Sequence, residues 1–471
     1  MLNKDIKPDH GSFRDPSSRV YKLNNGERII RGLNEEALNN FRKLSNENFY
    51  KDFVENGHVI KSKEISLELK DSTITKWNGY IEHEKIKLIS YPYEWTFSML
   101  KDAALLHLKL LEISLNNGWI IKDSSPYNIQ FIGSKPIFID TPSFKPWDKG
   151  EPWSAYRQFT SNFLIPLMLK AYLDINYLNL IRSSLDGIPP TEAIKFFSVK
   201  KYFKRGVLSH IFLPSRVEKN ILKKERNNAP AKNRNQNFHS KTMVIALVNS
   251  MTRLIQSLNL KKINTDWSEY ENTHSYKELD FISKKEFIQK NISNKNYIQT
   301  IDIGCNSGEF SEILSKFSRQ TISIDNDSGA IEKLYKRTSM NVDSNITPLI
   351  IDIANASPSQ GFFGSERKSF DQRIKPDLIL CLALIHHTRI TSNIPNEIFI
   401  SYLKSNNCDV IIEWVDREDE MVKKLMKNKS ECYEDYNLNA FTEEIGNHFI
   451  IKDSMTLKKG KRKLFYITPK A

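Results

Sequence analysis

The feature that most constrains the fold is a run of alternating strand and helix patterns in the C-terminal part of this 471-residue chain. It opens with YIQTIDIGCNSGEFSEILSKF, in which a strand pattern, a glycine turn and a helical pattern follow one another. Three more strand patterns come later, namely TISID, TPLIIDI and PDLILCLALIHHT. Alternation of this kind predicts an α/β fold with a parallel sheet.

The first turn of this region has the chemistry of a nucleotide site. The backbone has to turn tightly at Gly304 and can let a ligand approach at Gly308, ahead of a helix N-terminus. TISID ends at Asp325, 23 residues after Asp302, and an acidic side chain at this separation can accept hydrogen bonds from a ribose diol. The two features together predict a nucleotide-type cofactor.

The turn also limits which cofactor is expected. It reads D-x-G-x-N-x-G and lacks the G-x-G-x-x-G spacing of a dinucleotide site, so no pyrophosphate cradle is indicated. Asp352 ends the third strand pattern, where a carboxylate can meet an adenine amino group. His386 and His387 end the fourth, at the edge where open α/β sheets bind their ligands.

These residues resemble those of class I S-adenosylmethionine-dependent methyltransferases, and the resemblance covers residues 265–471. It implies a Rossmann-like domain with S-adenosylmethionine as the cofactor. The methionine part of the cofactor would then be held by Asp302, Gly304, Asn306 and Gly308. Asp325 would hold the ribose, and Asp352 would lie by the adenine. The family often has a third glycine where this chain has Asn306.

Methyl transfer is an in-line displacement at a carbon that a sulfonium already activates, so the protein supplies proximity and, for a hydroxyl acceptor, a proton acceptor. His386 and His387 are candidates for this base, although they can equally shape the pocket wall. Glu413, at the end of VIIEW, is a second candidate. No Asn/Asp-Pro-Pro-Tyr follows the fourth strand, which favours a small-molecule or glycan hydroxyl over a flipped base.

The N-terminal part predicts a separate α+β domain. RVYKLNNGERIIR has the pattern of a hairpin around Asn-Asn-Gly, and a helical pattern runs from Asn34 to about Asn56. Two strand patterns follow, HVIKSKEI and KIKLISYP, and a long helix is predicted over residues 96–116.

The stretch KDSSPYNIQFIGSKPIFID then places Asp123, Asn128 and Asp140 around a predicted hairpin. Their order and spacing resemble the catalytic loop and the metal-binding Asp of protein-kinase-like folds. The resemblance implies an Mg-ATP site in which Asn128 and Asp140 are metal ligands and Asp123 is the phosphotransfer base. No Gly-rich loop precedes the hairpin, and the phosphate-pairing Lys is replaced by Arg31.

We therefore expect a kinase-like domain over residues 1–200, with three interpretations of its role. It is a degenerate fold that positions a substrate or senses a nucleotide, an active small-molecule or sugar phosphotransferase, or a chance pattern in which Asp123 and Asn128 cap turns. The whole arrangement, from SFRDPSS through KDSSPYNIQF to DIGCNSGEF and ALIHHT, resembles a bacterial group of methyltransferase-domain proteins with nodulation-protein-like members. That group is associated with surface glycan modification, which implies a glycan or glycolipid acceptor.

Positive charge is concentrated between the two predicted domains. The chain carries a net charge of +13, and residues 200–241 hold twelve Lys or Arg against two Glu. This composition is typical of a solvated linker, and we assign residues 201–264 to a basic linker and helical connection. It also suits weak contact with an anionic surface, such as a membrane or a polyanionic glycan. The absence of an aromatic-interleaved ribbon or base-reading helix disfavours nucleic acid.

No signal-peptide pattern opens the chain and no apolar run approaches 20 residues, so a cytoplasmic location without a transmembrane segment is expected.

The main hypothesis is a methyltransferase that acts on a small-molecule or glycan-type acceptor, with the N-terminal domain recognising the substrate. The alternative is a bifunctional or primarily Mg-ATP-dependent phosphotransferase. A non-catalytic binding protein is the third.

Overall fold

The structure is a computed structural model that describes residues 6–67, 76–226, 240–261, 276–427, 429, 433–457 and 460–470. Its contacts divide the chain into two compact units. The described residues of the first unit fall within Met1–Ile132, Pro136–Lys262 and Ser359–Lys368. Those of the second fall within Gly133–Lys135, Ile263–Pro358 and Ser369–Ala471.

The first unit begins with a five-stranded antiparallel sheet in the order β1-β2-β3-β5-β4. Its strands are β1 (Ile6–Pro8), β2 (Ser18–Leu23), β3 (Arg28–Leu33), β4 (Ser62–Ile65) and β5 (Gly79–His83). The predicted hairpin is confirmed as β2 and β3, joined by a turn in which Asn24 and Gly26 have φ of 52° and 87°. This turn needs positive φ, which explains the Asn-Asn-Gly sequence.

Two predictions for this region are wrong in detail. The single helix expected from Asn34 to Asn56 is two helices, α1 (Glu35–Asn46) and α2 (Asn48–Glu55), because Glu47 is extended with ψ of 134°.

The stretch KIKLISYP, which the sequence predicts as a strand, forms no strand. The N–H of Ser90 donates to Gln130 Oε1 at 2.8 Å and that of Tyr91 to Glu94 Oε2 at 2.9 Å, so side chains satisfy donors that a strand would have paired.

The predicted long helix is confirmed as α3 (Phe97–Asn116), where Thr96 caps the N-terminus by accepting from the N–H of Met99. Two small two-stranded sheets follow, the antiparallel pair of β6 with β9 and the pair of β7 with β8. Their bounds are β6 (Trp119–Ile121), β7 (Ile129–Ile132), β8 (Lys135–Phe138) and β9 (Phe144–Pro146). The α-helices that follow among the described residues of the unit are α4 (Tyr156–Phe159), α5 (Ile165–Met168), α6 (Leu178–Arg182), α7 (Pro190–Ala193), α8 (Leu213–Arg226) and α9 (Lys241–Ser257).

The region predicted as a basic linker and helical connection is largely helical where it is described. Both α8 and α9 lie entirely within residues 201–264, and the contacts place them in the first unit. Lys101 on α3 donates to the carbonyl oxygens of Gln256 and Leu258, at 3.0 and 2.6 Å. Residues 227–239 and 262–275 lie outside the described part of the chain.

The second unit is a seven-stranded sheet in the order β12-β11-β10-β13-β14-β16-β15. Its strands are β10 (Thr300–Ile303), β11 (Thr321–Asp325), β12 (Ile346–Ile350), β13 (Leu378–Cys381), β14 (Asp409–Val415), β15 (Phe449–Thr456) and β16 (Arg462–Pro469). The first five are parallel, and β16 runs antiparallel between β14 and β15. The predicted parallel α/β sheet is confirmed.

Helices accompany this sheet. They are α10 (Tyr276–Ile292), α11 (Ser311–Ser315), α12 (Ser328–Ser339), α13 (Asn396–Ser405), α14 (Glu420–Met426) and α15 (Leu438–His448). Every residue of β10 and β13 is buried, as expected for central strands covered on both faces. The strand order reverses between β10 and β13, and open α/β sheets bind ligands in the crevice beside such a switch point.

Within the described ranges, no helix is both long and apolar enough to cross a membrane.

Candidate cofactor site

The turn after β10 has the conformation that the sequence predicts. Gly304 and Gly308 have φ of 75° and 86°, and Asn306 between them has φ of 49°. A Cβ on Gly308 would lie 2.5 Å from Leu334 Cδ1 of α12, so both the backbone angle and the packing require glycine there. Asn306 is tolerated because Asn adopts positive φ more readily than most residues. This departure from a third glycine is therefore compatible with the turn.

Asp302 is a buried residue of β10, just before this turn. It is 2% exposed, and Ser311 donates its hydroxyl to Asp302 Oδ2 at 2.6 Å. Burial raises the pKa of Asp302 to about 7, and the charges of Asp325 and Glu309 act in the same direction. Asp302 is thus poised to change its protonation near neutral pH.

Asp325 ends β11 and is bound to the turn. Its Oδ2 accepts the N–H of Asn306 at 2.9 Å, and its Oδ1 accepts the N–H of Asp327 at 2.9 Å. Burial raises the pKa of Asp325, although these backbone hydrogen bonds oppose the shift. Each carboxylate oxygen has more than one lone pair, so both can still accept a hydrogen bond from a ligand.

Asp352 lies two residues beyond β12. Its side chain is exposed, and Oδ1 accepts the N–H of Ala354 at 2.9 Å, which caps the short helical turn that follows. Asp302 is the third of the four residues of β10, Asp325 ends β11 and Asp352 follows β12, so all three lie near the carboxyl ends of adjacent parallel strands.

The two histidines begin a helical turn after β13. Their ring centroids are 4.3 Å apart, and His386 is 2% exposed whereas His387 is half-buried. Burial lowers the pKa of both, and for His386 the neighbouring His387 and Arg462 add to the effect. The buried Nδ1 of His386 has no hydrogen-bond partner among the described residues. A neutral imidazole with an unpaired nitrogen is able to accept a proton.

Glu413 is fully buried on β14 and is held by three groups. Its Oε2 accepts from Lys284 Nζ at 2.7 Å and from the N–H of Ala383 at 2.9 Å, and Arg462 Nη1 lies 3.4 Å from Oε1. Ala383 has φ of 48°, a strained angle for this residue. Glu413 thus anchors the strained turn that leads from β13 to the histidines.

Sequence reasoning missed the cations around Glu413. Lys284 lies on α10 and Arg462 on β16, where Arg462 also pairs with Asp419 at 2.8 Å. Both lie in locally charged stretches, KKEF and KRK, that are typical of solvent-exposed surface. No local signal marks them, because the pairing depends on which helix and strands are neighbours in space.

The first unit brings together the three residues that the kinase-like pattern singled out. Burial raises the pKa of Asp123, and the nearby charge of Asp140 adds to it. Asn128 Nδ2 donates to Asp140 Oδ2 at 3.4 Å, and Asp123 Oδ1 accepts the N–H of Ser125 at 2.9 Å. The contact with Ser125 is a turn cap, as the third interpretation expects for Asp123.

Arg31 on β3 forms an ion pair with Asp140 Oδ1, and both side chains are nearly buried. Asp140 therefore has a protein donor on each oxygen. Among the described residues, no group of three or more His, Cys, Asp or Glu is placed to hold a metal ion. The guanidinium of Arg31 already neutralises the carboxylate of Asp140, which disfavours a divalent cation beside it. The Mg-ATP site stays a prediction.

The strand order and the residues at the carboxyl edge define a Rossmann-like α/β fold for the second unit. No family model matches the sequence. The nodulation protein NoeA of Rhizobium meliloti (strain 1021) is 29% identical to the chain over 459 residues, which is 97% of this chain and 94% of that protein.

Solved structures similar to the chain include methyltransferases. The N-methyltransferase NodS from Bradyrhizobium japonicum WM9, in complex with S-adenosyl-L-homocysteine, is 11% identical with a TM-score of 0.31, over 44% of this chain and 94% of NodS. Magnesium protoporphyrin IX methyltransferase (ChlM) from Synechocystis PCC 6803, with bound SAH, is 14% identical with a TM-score of 0.30, over 47% of this chain and 95% of ChlM.

Proposed function

We propose that this protein is an S-adenosylmethionine-dependent methyltransferase that acts on a hydroxyl of a small molecule, glycan or glycolipid. The observation that carries the proposal is the Asp325 carboxylate, which accepts from the turn between Gly304 and Gly308 at the carboxyl end of β11, next to β10. The resemblance to the nodulation-protein-like group supports a glycan or glycolipid acceptor. A cytoplasmic location stays a prediction.

The residues present fit S-adenosylmethionine. The two oxygens of Asp325 are oriented by backbone donors and retain lone pairs for the two ribose hydroxyls. Asp302 and the turn from Gly304 through Asn306 to Gly308 would hold the methionine part, and Asp352 would accept from the adenine amino group. When bound, the cofactor supplies a methyl group on a positively charged sulfur.

The affinity for S-adenosylmethionine is expected to fall as the pH is lowered through about 7, the pKa of Asp302. A bound cation favours the ionised carboxylate, so binding releases a proton wherever Asp302 is protonated in the free protein. Calorimetry between pH 6 and pH 8, in buffers of different ionisation enthalpy, would measure the affinity and the protons released.

Asp302→Asn is the control for this effect, because the ligand's own amino group also titrates. In this variant the cofactor affinity should lose the part of its pH dependence that comes from titration of Asp302. An unchanged pH dependence in Asp302→Asn would contradict the assignment of Asp302.

We propose His386, or its neighbour His387, as the group that takes the proton of the acceptor hydroxyl. Burial keeps the pKa of both below the usual value, so both are neutral and able to accept a proton at physiological pH. Glu413 is then a positioning residue rather than the base, because its carboxylate is fully buried and its charge is already paired with Lys284 and Arg462.

The test of the proposed function is transfer of the labelled methyl group of S-adenosylmethionine to glycan and glycolipid fractions. Replacing by Asn whichever of His386 and His387 is the base should lower kcat by about 10²–10⁴-fold, with little change in cofactor affinity. His448→Asn, outside the site on α15, is the matched control. If neither His386→Asn nor His387→Asn slows transfer, the histidines only shape the pocket wall.

For the first unit we propose substrate recognition. A phosphotransfer role is not favoured, because the guanidinium of Arg31 already neutralises the carboxylate of Asp140. The kinase-like assignment of this unit stays a prediction.

A further inference from the structure

A surface of the first unit, residues 196–219, combines exposed apolar side chains with positive charge, and we call it the Phe203 surface. The described chain has 20 exposed large apolar side chains, and six of them lie in this short segment. Those six are Phe196, Val199, Phe203, Leu208, Leu213 and Val217. Single exposed apolar residues are normal on proteins, whereas such clustering marks an interaction site.

The Phe203 surface is predominantly positive in charge. Residues 196–219 contain six Lys or Arg and one acidic residue, Glu218, which pairs with Arg157 at 3.0 Å. The exposed cations are Lys200, Lys204, Arg205, Arg216 and Lys219. The exposed apolar groups are thus interspersed with cations, and the single carboxylate is already paired.

The turn that carries Phe203 is held in place on both sides. Tyr202 packs on Phe212 with ring centroids 5.0 Å apart, and the hydroxyl of Tyr172 donates to the carbonyl oxygen of Arg205 at 2.9 Å. Arg216 lies over the ring of Phe212 at 4.8 Å, which joins α8 to the same surface. Phe203 remains 85% exposed although both of its flanks are anchored, so its exposure is built into the fold.

We propose that the Phe203 surface docks the protein on an anionic lipid bilayer, with Phe203 and Val199 entering the interface. The cations match the negative surface of such a membrane, and the apolar side chains reach the boundary between headgroups and acyl chains. This chemistry suits a lipid surface better than a nucleic acid, which would leave the aliphatic side chains in water. The inference does not depend on the proposed methyl transfer.

The test is sedimentation of the full-length protein with phosphatidylcholine vesicles, prepared with and without phosphatidylglycerol. Binding is expected only to the anionic vesicles, and it should weaken as salt is raised. Phe203→Ser should lower the partition constant about tenfold, from the lost burial of one aromatic side chain. Replacing both Lys200 and Lys204 by Gln should lower it about 25-fold, at about fivefold for each lysine.

Phe363→Ser is the matched control, since Phe363 is 91% exposed on a different turn of the same unit. It should bind vesicles as the unchanged protein does. The proposal is overturned if the protein ignores anionic vesicles, or if Phe203→Ser and Phe363→Ser behave alike. It is also overturned if the unchanged protein binds heparin, a soluble polyanion, through Lys200 and Lys204 but does not bind vesicles.

Discussion

Asp325→Ala is expected to weaken S-adenosylmethionine binding at least about a hundredfold, measured by calorimetry. The ionised carboxylate would accept two ribose hydroxyls, and a hydrogen bond to a charged group contributes about 1.5–3 kcal/mol. Losing both costs about 3 kcal/mol or more, and each 1.4 kcal/mol is about a tenfold change in Kd. The same carboxylate orients the turn by accepting from Asn306, which adds to the loss.

A folding defect has to be separated from the loss of the ligand contact. Asp325→Asn keeps the size of the side chain and one acceptor oxygen, so it should weaken binding less than Ala does. Asp343→Ala, at an exposed position after α12, should bind the cofactor normally. Unchanged affinity in a folded Asp325→Ala protein would remove the main support for the cofactor site and for the proposed methyl transfer.

Glu413→Ala is expected to lower the free energy of unfolding of the second unit by about 3–5 kcal/mol, measured by urea denaturation at neutral pH. The side chain is fully buried, and removing it leaves the cations of Lys284 and Arg462 without a shared carboxylate. The N–H of Ala383 also loses its acceptor, at the residue with the strained φ of 48°.

Two variants refine this measurement. Glu413→Gln keeps an acceptor for Ala383 but removes the charge, so its loss of stability should fall between those of the unchanged protein and Glu413→Ala. Glu443→Ala replaces an exposed glutamate on α15 and should leave stability nearly unchanged. If Glu413→Ala is as stable as Glu443→Ala, Glu413 is not the anchor that its contacts indicate.

The sequence predicted the second unit well because its signals are local. Continuous apolar runs mark the buried parallel strands, and the turn after β10 needs glycine at Gly304 and Gly308 whatever surrounds it. Asp325 and Asp352 were placed at the carboxyl edge from strand alternation alone. Local rules failed at KIKLISYP, where the side chains of Gln130 and Glu94 satisfy the backbone donors instead of a neighbouring strand.

The tertiary structure decided which side chains meet. Arg31 and Asp140 are 109 residues apart, and Lys284 and Glu413 are 129 residues apart, so no local pattern links either pair. The first unit likewise takes in Ser359–Lys368 from the stretch between β12 and β13. Periodicity and turn residues determine strands, helices and turns, because these depend on neighbours in sequence. Ion pairs and unit boundaries depend on neighbours in space, which only the folded chain defines.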